Sequence, residues 1–401
     1  MARIRRRSSI HLGSLGQASR RVREVEAELH EAAMLATGYH DFGDAGYREG
    51  LGRLLEAIES SNYTAQQRER IRAAGVVPVL MSRLYSERGW GERPECLDSA
   101  IQAPLVICGM PRTGTTALHK LLSIDRRFQG LNGWLIAYPM PRPSRDQWPS
   151  MPEYRAVAGA MEATMRASAT QKAAHFRTAD EVDECLGLMS QSFASNLFPA
   201  AFDLPSYDEW FRAQDQRQTY HRFADNLRLI GSNDPDKPWL LKNPGHILAL
   251  DAFLDVFPDA MIVQTHRHPG TALASLASLL AAVRTSVVGA DVRTDDIAAR
   301  EMSLWSQAAR NALSVRDRNL ENFHDVDFRE FVADPMRTVR GIYDRFGMNL
   351  DQYSESAMQD WIAANPQGKH GAHSYNREAF GLSDALIEQQ FGEYIQRFGL
   401  A

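Results

Sequence analysis

Leu105-Val-Ile-Cys-Gly-Met-Pro-Arg-Thr-Gly-Thr-Thr116 is the stretch whose reading decides the fold. It opens as an uncharged run with β-branched Val106 and Ile107, the composition of a strand buried on both faces. Beyond Thr116, Leu118, Leu121 and Leu122 fall at helical spacing, so the glycine-bearing turn between them opens a helix. Strand, turn and helix in that order bring backbone N–H groups and the positive end of the helix dipole to one point. Such a point binds phosphate or sulfate.

Gly109 and Gly114 have the spacing of the nucleotide triphosphatase loop, but Thr115 stands where that loop carries lysine. A triphosphatase uses the lysine on the β- and γ-phosphates and needs a carboxylate at a later strand end to hold Mg²⁺. The later strands predicted here end in Lys242 and in Thr265-His266-Arg267. A loop that keeps its glycines and hydroxyls and adds Arg112 suits an anion joined through a 5′-phosphate, without a γ-phosphate. With Pro-Arg-Thr-Gly-Thr-Thr at residues 111–116, it resembles the loop of the sulfotransferases that use 3′-phosphoadenosine 5′-phosphosulfate (PAPS), Pro-Lys/Arg-x-Gly-Thr-Thr. The resemblance implies that Arg112, Thr113, Gly114, Thr115 and Thr116 bind the 5′-phosphate side of PAPS. Arg112 would also balance charge on the bridging oxygen.

Working outward, Trp239-Leu-Leu-Lys242 reads as a strand, followed by Asn243-Pro-Gly-His246 and a helical run from Ile247 to Phe257. Lysine rarely ends a buried strand without an anionic partner, and strand C-termini are where open α/β sheets place ligands. Cytosolic sulfotransferases carry a Lys-x-His pair in this part of the chain. The resemblance therefore offers Lys242 as a second cation and His246, here four residues on rather than two, as the catalytic base. Glu184 is the substitute base. It belongs to the acidic run Asp180-Glu181-Val-Asp-Glu184, which otherwise reads as the first turn of a helix continuing through Leu186, Leu188 and Met189. Residues 128–145 contain no Asp or Glu, which weakens a base placed there.

Ala260–Arg267 is a further strand and basic turn, and Ser275 lies eight residues beyond Arg267 on the next helix. In the family an arginine and a serine at this spacing hold the 3′-phosphate, a role the resemblance extends to Arg267 and Ser275. It likewise makes Lys369, in the loop Gly368–Tyr375, a contact of the same phosphate. The helix after Arg267, apolar on nearly all sides over Ala272–Val283, reads as buried, and at that length as too short to span a bilayer.

The rest of the chain supplies context. Its 401 residues are 44% hydrophobic and 24% charged, as in an ordinary globular protein, and a net charge of −5 gives no general affinity for nucleic acid. Cys96, Cys108 and Cys185 have no metal-binding or disulfide spacing. With an arginine-rich start lacking an apolar h-region, they suggest a cytoplasmic protein without a bound metal. Residues 1–100 read as a helical region with a mobile basic tail able to touch anionic lipid, and residues 101–401 as the α/β domain, a P-loop-like parallel sheet flanked by helices. Residues 151–229 read mainly as helix. Phe323–Phe328 reads as a short strand and Asp334-Pro as a helix start. Trp134, Tyr138 and Trp148, in and before a passage with five prolines from Pro139 to Pro152, would suit an apolar or sugar-bearing acceptor, but equally core packing.

The expected function is transfer of a sulfuryl group from PAPS to an acceptor hydroxyl on a small molecule, glycan or lipid. Two other readings stay open on the residues: a kinase or NTPase with an atypical loop, and a non-catalytic nucleotide- or lipid-binding protein.

Overall fold

The computed structural model describes residues 5–167, 178–289, 294–366 and 377–401. Lys369 lies outside them.

Strand β1 (Leu105–Gly109) is buried at all five positions. It pairs in parallel on both sides, with β3 (Trp239–Lys242) and with β4 (Met261–His266). A two-residue strand β2 (Gln129–Gly130) joins β3, and β5 (Phe323–Asp327) joins β4, giving the parallel order β2-β3-β1-β4-β5. Alternation along β1 sorts its side chains between two cores. Val106 and Cys108 pack with Tyr220, Phe223, Phe253 and Leu273 on one face. Leu105 and Ile107 pack with Leu118, Leu121, Val339 and Ile342 on the other.

Before β1 come the N-terminal helices Arg5–Thr37, Tyr47–Ser60 and Val77–Glu92. Their core is shared: Leu51, Leu54, Ile58 and Leu80 pack with Phe193, Phe198, Tyr207 and Phe211, from between β2 and β3. A buried polar seam joins the same pieces. Gln191 Nε2 donates to the hydroxyls of Ser82 and Ser86 at 2.8 and 2.9 Å, and Ser86 donates to Asn226 Oδ1 at 2.6 Å. Arg83, 3% exposed, donates to the carbonyl oxygens of Phe42, Asp44 and Gln191, so burial leaves its charge with partners.

Two expectations need correcting. The acidic run does not begin a helix: Asn132 and Val182 form an isolated antiparallel bridge, and the next helix spans only Leu186–Met189. Residues 178–185 cross the sheet edge as a strap, held by Asp183 N–H to Leu131 O at 2.7 Å and Cys185 N–H to Lys242 O at 3.0 Å. Of the two readings open for the aromatics, Trp134 and Trp148 take the packing one: both are buried, edge to face with centroids 5.5 Å apart.

The other correction concerns the apolar helix, which runs Pro269–Val288, 20 residues, longer than its uncharged stretch suggested. By length and composition it is long enough to cross a bilayer. In this fold Leu273, Ala274, Ala277 and Leu280 lie in the core, and Arg284 donates to the carbonyls of Pro199 and Ala200.

Candidate active site

The site forms where β1, β3 and β4 end together. Gly109 lies level with Thr265 in the sheet, at φ +133°, and a Cβ there would stand 2.4 Å from the Thr265 carbonyl oxygen. The chain then makes its turn through two left-handed residues, Arg112 at φ +68° and Gly114 at φ +91°. The second suits glycine, since its φ is one that other residues rarely adopt and a Cβ would press on the Phe328 ring at 3.0 Å. The helix Thr115–Leu122 starts immediately after, so its free N–H groups face the turn. Thr113 has its hydroxyl turned inward, donating to Met110 O at 2.6 Å and 2.5 Å from the Thr265 hydroxyl. That side chain fixes the loop rather than facing a ligand.

Lys242 ends β3 almost fully buried, at 1% exposure. Its Nζ pairs with Glu184 Oε1 of the strap and lies 3.3 Å from the Thr116 hydroxyl on the loop helix. One turn on, Lys120 pairs with Glu181 at 2.9 Å. Thr116 and Lys120 are four apart and share a helix face, the signal by which Lys120 is recognisable as part of this wall. The two glutamates of the acidic run, three apart, therefore each meet a lysine at the loop. Placing Glu184 beside the loop and Lys242 needs the strap, which helical periodicity does not predict.

Arg267 and Ser275 are brought together with the loop. Arg112 Nε donates to Ser275 Oγ at 3.0 Å, and Arg267 Nη1 donates to the Arg112 carbonyl at 3.0 Å. The Arg267 guanidinium lies 4.3 Å over the Phe328 ring, the same ring that packs on Gly114. Phe328 follows β5 directly. Its place just past a strand end was the available sign of a role at this edge.

His246 is not brought to this group. It is fully buried, in a nest of Tyr220, Phe223 and Phe253. Nδ1 lies 3.1 Å from the Tyr220 hydroxyl, and Nε2 has no hydrogen-bond partner among the described residues. The helical run expected from Ile247 breaks into a 3₁₀ turn, Pro244–Leu248, and a helix, Leu250–Val256, which turns the imidazole into the aromatic core. Burial pushes its pKa down to about 3. His119, on the loop helix and also buried, is pushed down to about 3 by burial and by the charge of Lys242.

These two histidines give a pH dependence of known sign. Unfolded, each takes up a proton near pH 6.5, well above its folded pKa of about 3. Between those limits the unfolded chain binds more protons, so stability falls as pH falls. Each histidine contributes about 1.4 kcal/mol per pH unit below 6.5. Urea midpoints measured from pH 7 to 5 should drop steadily, and His246→Leu should remove one share of the slope. A flat profile would contradict the buried neutral assignment.

Among the described residues no group of three or more His, Cys, Asp or Glu side chains is arranged to hold a metal ion. The chemistry legible in the site is that of an anion cradle of loop N–H groups, cations Arg112, Lys242 and Arg267, and one carboxylate, Glu184, paired with the most buried of those cations.

Comparison with known proteins finds sulfotransferases. The profile described as the sulfotransferase family matches residues 104–352. The crystal structure of sulfotransferase STF1 from Mycobacterium tuberculosis is 37% identical, with a TM-score of 0.82, covering 92% of this chain and 98% of that one. That of sulfotransferase STF9 from Mycobacterium avium is 26% identical, with a TM-score of 0.85, covering 94% and 97%. The ω-hydroxy-β-dihydromenaquinone-9 sulfotransferase Stf3 of Mycobacterium bovis is 22% identical over 306 residues, 74% of this chain and 75% of its own length.

Proposed function

This chain belongs to the sulfotransferase family, and on that premise we propose that it moves a sulfuryl group from PAPS to an acceptor hydroxyl, leaving a sulfate ester and 3′-phosphoadenosine 5′-phosphate (PAP), with no metal ion. The observation that carries the reading is Lys242. A nearly buried ammonium, bonded to the anion loop through Thr116 and to the strap through Glu184, puts a cation and a carboxylate at one point.

PAPS fits the residues present. The loop N–H groups with Thr115 and Thr116 take the 5′-phosphate, and Arg267 with Ser275 takes the 3′-phosphate. PAPS itself supplies the activated sulfuryl group. Glu184 accepts the acceptor's hydroxyl proton as the new O–S bond forms. As the old S–O bond breaks, Arg112 and Lys242 meet the negative charge left on the 5′-phosphate oxygen. Positioning and charge stabilisation then supply most of the acceleration. The acceptor class is an alcohol on a small molecule, glycan or lipid. The Mycobacterium bovis relative, named for an ω-hydroxylated menaquinone, falls within it.

Calorimetric titration with PAP, AMP and ATP–Mg²⁺ tests the donor assignment. We expect PAP to bind at least about 100-fold more tightly than AMP, as two charge-assisted contacts to one phosphate would give, and chelator to have no effect. Preference for ATP–Mg²⁺, or indifference to the 3′-phosphate, would overturn it in favour of a kinase.

A further inference from the structure

Immediately before Arg267, His266 ends β4 at 2% exposure. Its Nε2 is 2.9 Å from Asp325 Oδ1 on β5, and its Nδ1 is 2.7 Å from the hydroxyl of Tyr394 on the C-terminal helix Asp384–Arg397. Asp325 is gripped from its other side by Arg316, Nη1 to Oδ1 at 2.8 Å and Nη2 to Oδ2 at 2.7 Å. A carboxylate so held only accepts, so Nε2 carries the imidazole proton and donates it, and Nδ1 accepts from the Tyr394 O–H. Burial keeps the ring neutral, consistent with that tautomer. Phe398 closes the arrangement, stacked on the imidazole with centroids 3.7 Å apart.

His266 donates through Nε2 to a carboxylate that only accepts and accepts at Nδ1 from the Tyr394 hydroxyl, so the ring has a single orientation. Arg267 is the next residue, and its guanidinium reaches Phe328 and the Arg112 carbonyl. Asp327, which precedes Phe328, lies level with His266 in the sheet. The fixed imidazole therefore anchors the backbone from which Arg267 projects, between the strand that leads into Phe328 and the helix that bears Tyr394.

We propose that Tyr394 and His266 are positioning residues for Arg267, so that recognition of the 3′-phosphate depends on the docking of the C-terminal helix through one hydroxyl. This rests on the reading of Arg267 as the 3′-phosphate ligand. It makes the preference for PAP over AMP, a property of the strand end, sensitive to a helix that touches the strand from behind.

The test is Tyr394→Phe, which keeps the ring and removes only the hydroxyl, compared with Tyr343→Phe. Tyr343 likewise donates one hydrogen bond from a buried position, in its case to a carboxylate, Asp125 Oδ2 at 2.7 Å, near the far end of the loop helix. Both lose one buried hydrogen bond and should lower the melting temperature alike. The readout is the ratio of AMP to PAP dissociation constants by calorimetry. In Tyr394→Phe the ratio should fall about fivefold to tenfold through weaker PAP binding, with AMP unchanged within about twofold. In Tyr343→Phe it should hold. An unchanged ratio in Tyr394→Phe, or an equal loss in Tyr343→Phe, overturns the proposal alone. A wild type that does not distinguish PAP from AMP overturns the donor reading and the proposal with it.

Discussion

Glu184→Gln is expected to lower turnover by roughly 10²–10⁴, the usual worth of a general base, while PAP binds as tightly as to the wild type or more tightly. Two consequences of the Lys242 pairing give this result its shape. Removing the carboxylate leaves a nearly buried ammonium without its counter-ion, so the ligand-free variant should lose stability. A phosphosulfate group would replace the missing negative charge, so bound nucleotide should restore more melting temperature to the variant than to the wild type. Stopped turnover, retained PAP affinity and a larger ligand-induced thermal shift together mark a base that doubles as counter-ion. Turnover within tenfold of wild type would reduce Glu184 to the counter-ion role. His246→Leu, by contrast, should retain the activity of each folded molecule, because the ring lies in the aromatic core.

Arg267→Ala is expected to weaken PAP by roughly 30- to 100-fold and AMP by no more than about threefold, since the lost contact is a charge-assisted one to the 3′-phosphate. The allowance for AMP reflects the second job of Arg267, donation to the Arg112 carbonyl. Arg267→Lys keeps the charge but loses the planar fork and its stacking on Phe328, so it should recover only part of the loss. Calorimetry on the three proteins with both nucleotides checks this. A matching loss of AMP and PAP affinity in Arg267→Ala would mean that Arg267 maintains the loop instead of holding the phosphate.

The features legible in the sequence were the local ones. β1, its loop and the helix after it lie within eighteen residues, and their patterns do not depend on the rest of the chain. The strand ends at Lys242 and Arg267 were legible for the same reason, as basic residues closing apolar runs. What failed were inferences that carry a local pattern across a change of direction. His246 and Lys242 are near neighbours in sequence, but the turn at Pro244–Leu248 sends their side chains to different places. Glu184 sits in a segment whose charges mimic a helix start, and only its bonds to Leu131 and Lys242 make it a strap. β2, two residues long, has no periodicity to detect. The apolar helix outran its uncharged stretch because Arg284 and the hydroxyls beyond it broke the run, although backbone carbonyls satisfy that arginine.

The sheet order has a consequence for how the protein is made. β1 is central, yet both its partners, β3 and β4, lie more than a hundred residues downstream. During synthesis an uncharged strand with two open edges leaves the ribosome well before anything can pair with it. The N-terminal helices do not shelter it early, since their own core waits for Phe193 to Phe211. Closure of such distant pairings is slow, and exposed edges in the interval invite aggregation. The loop follows β1, Lys242 ends β3 and Arg267 follows β4, so the anion site is complete only when those three strands have paired.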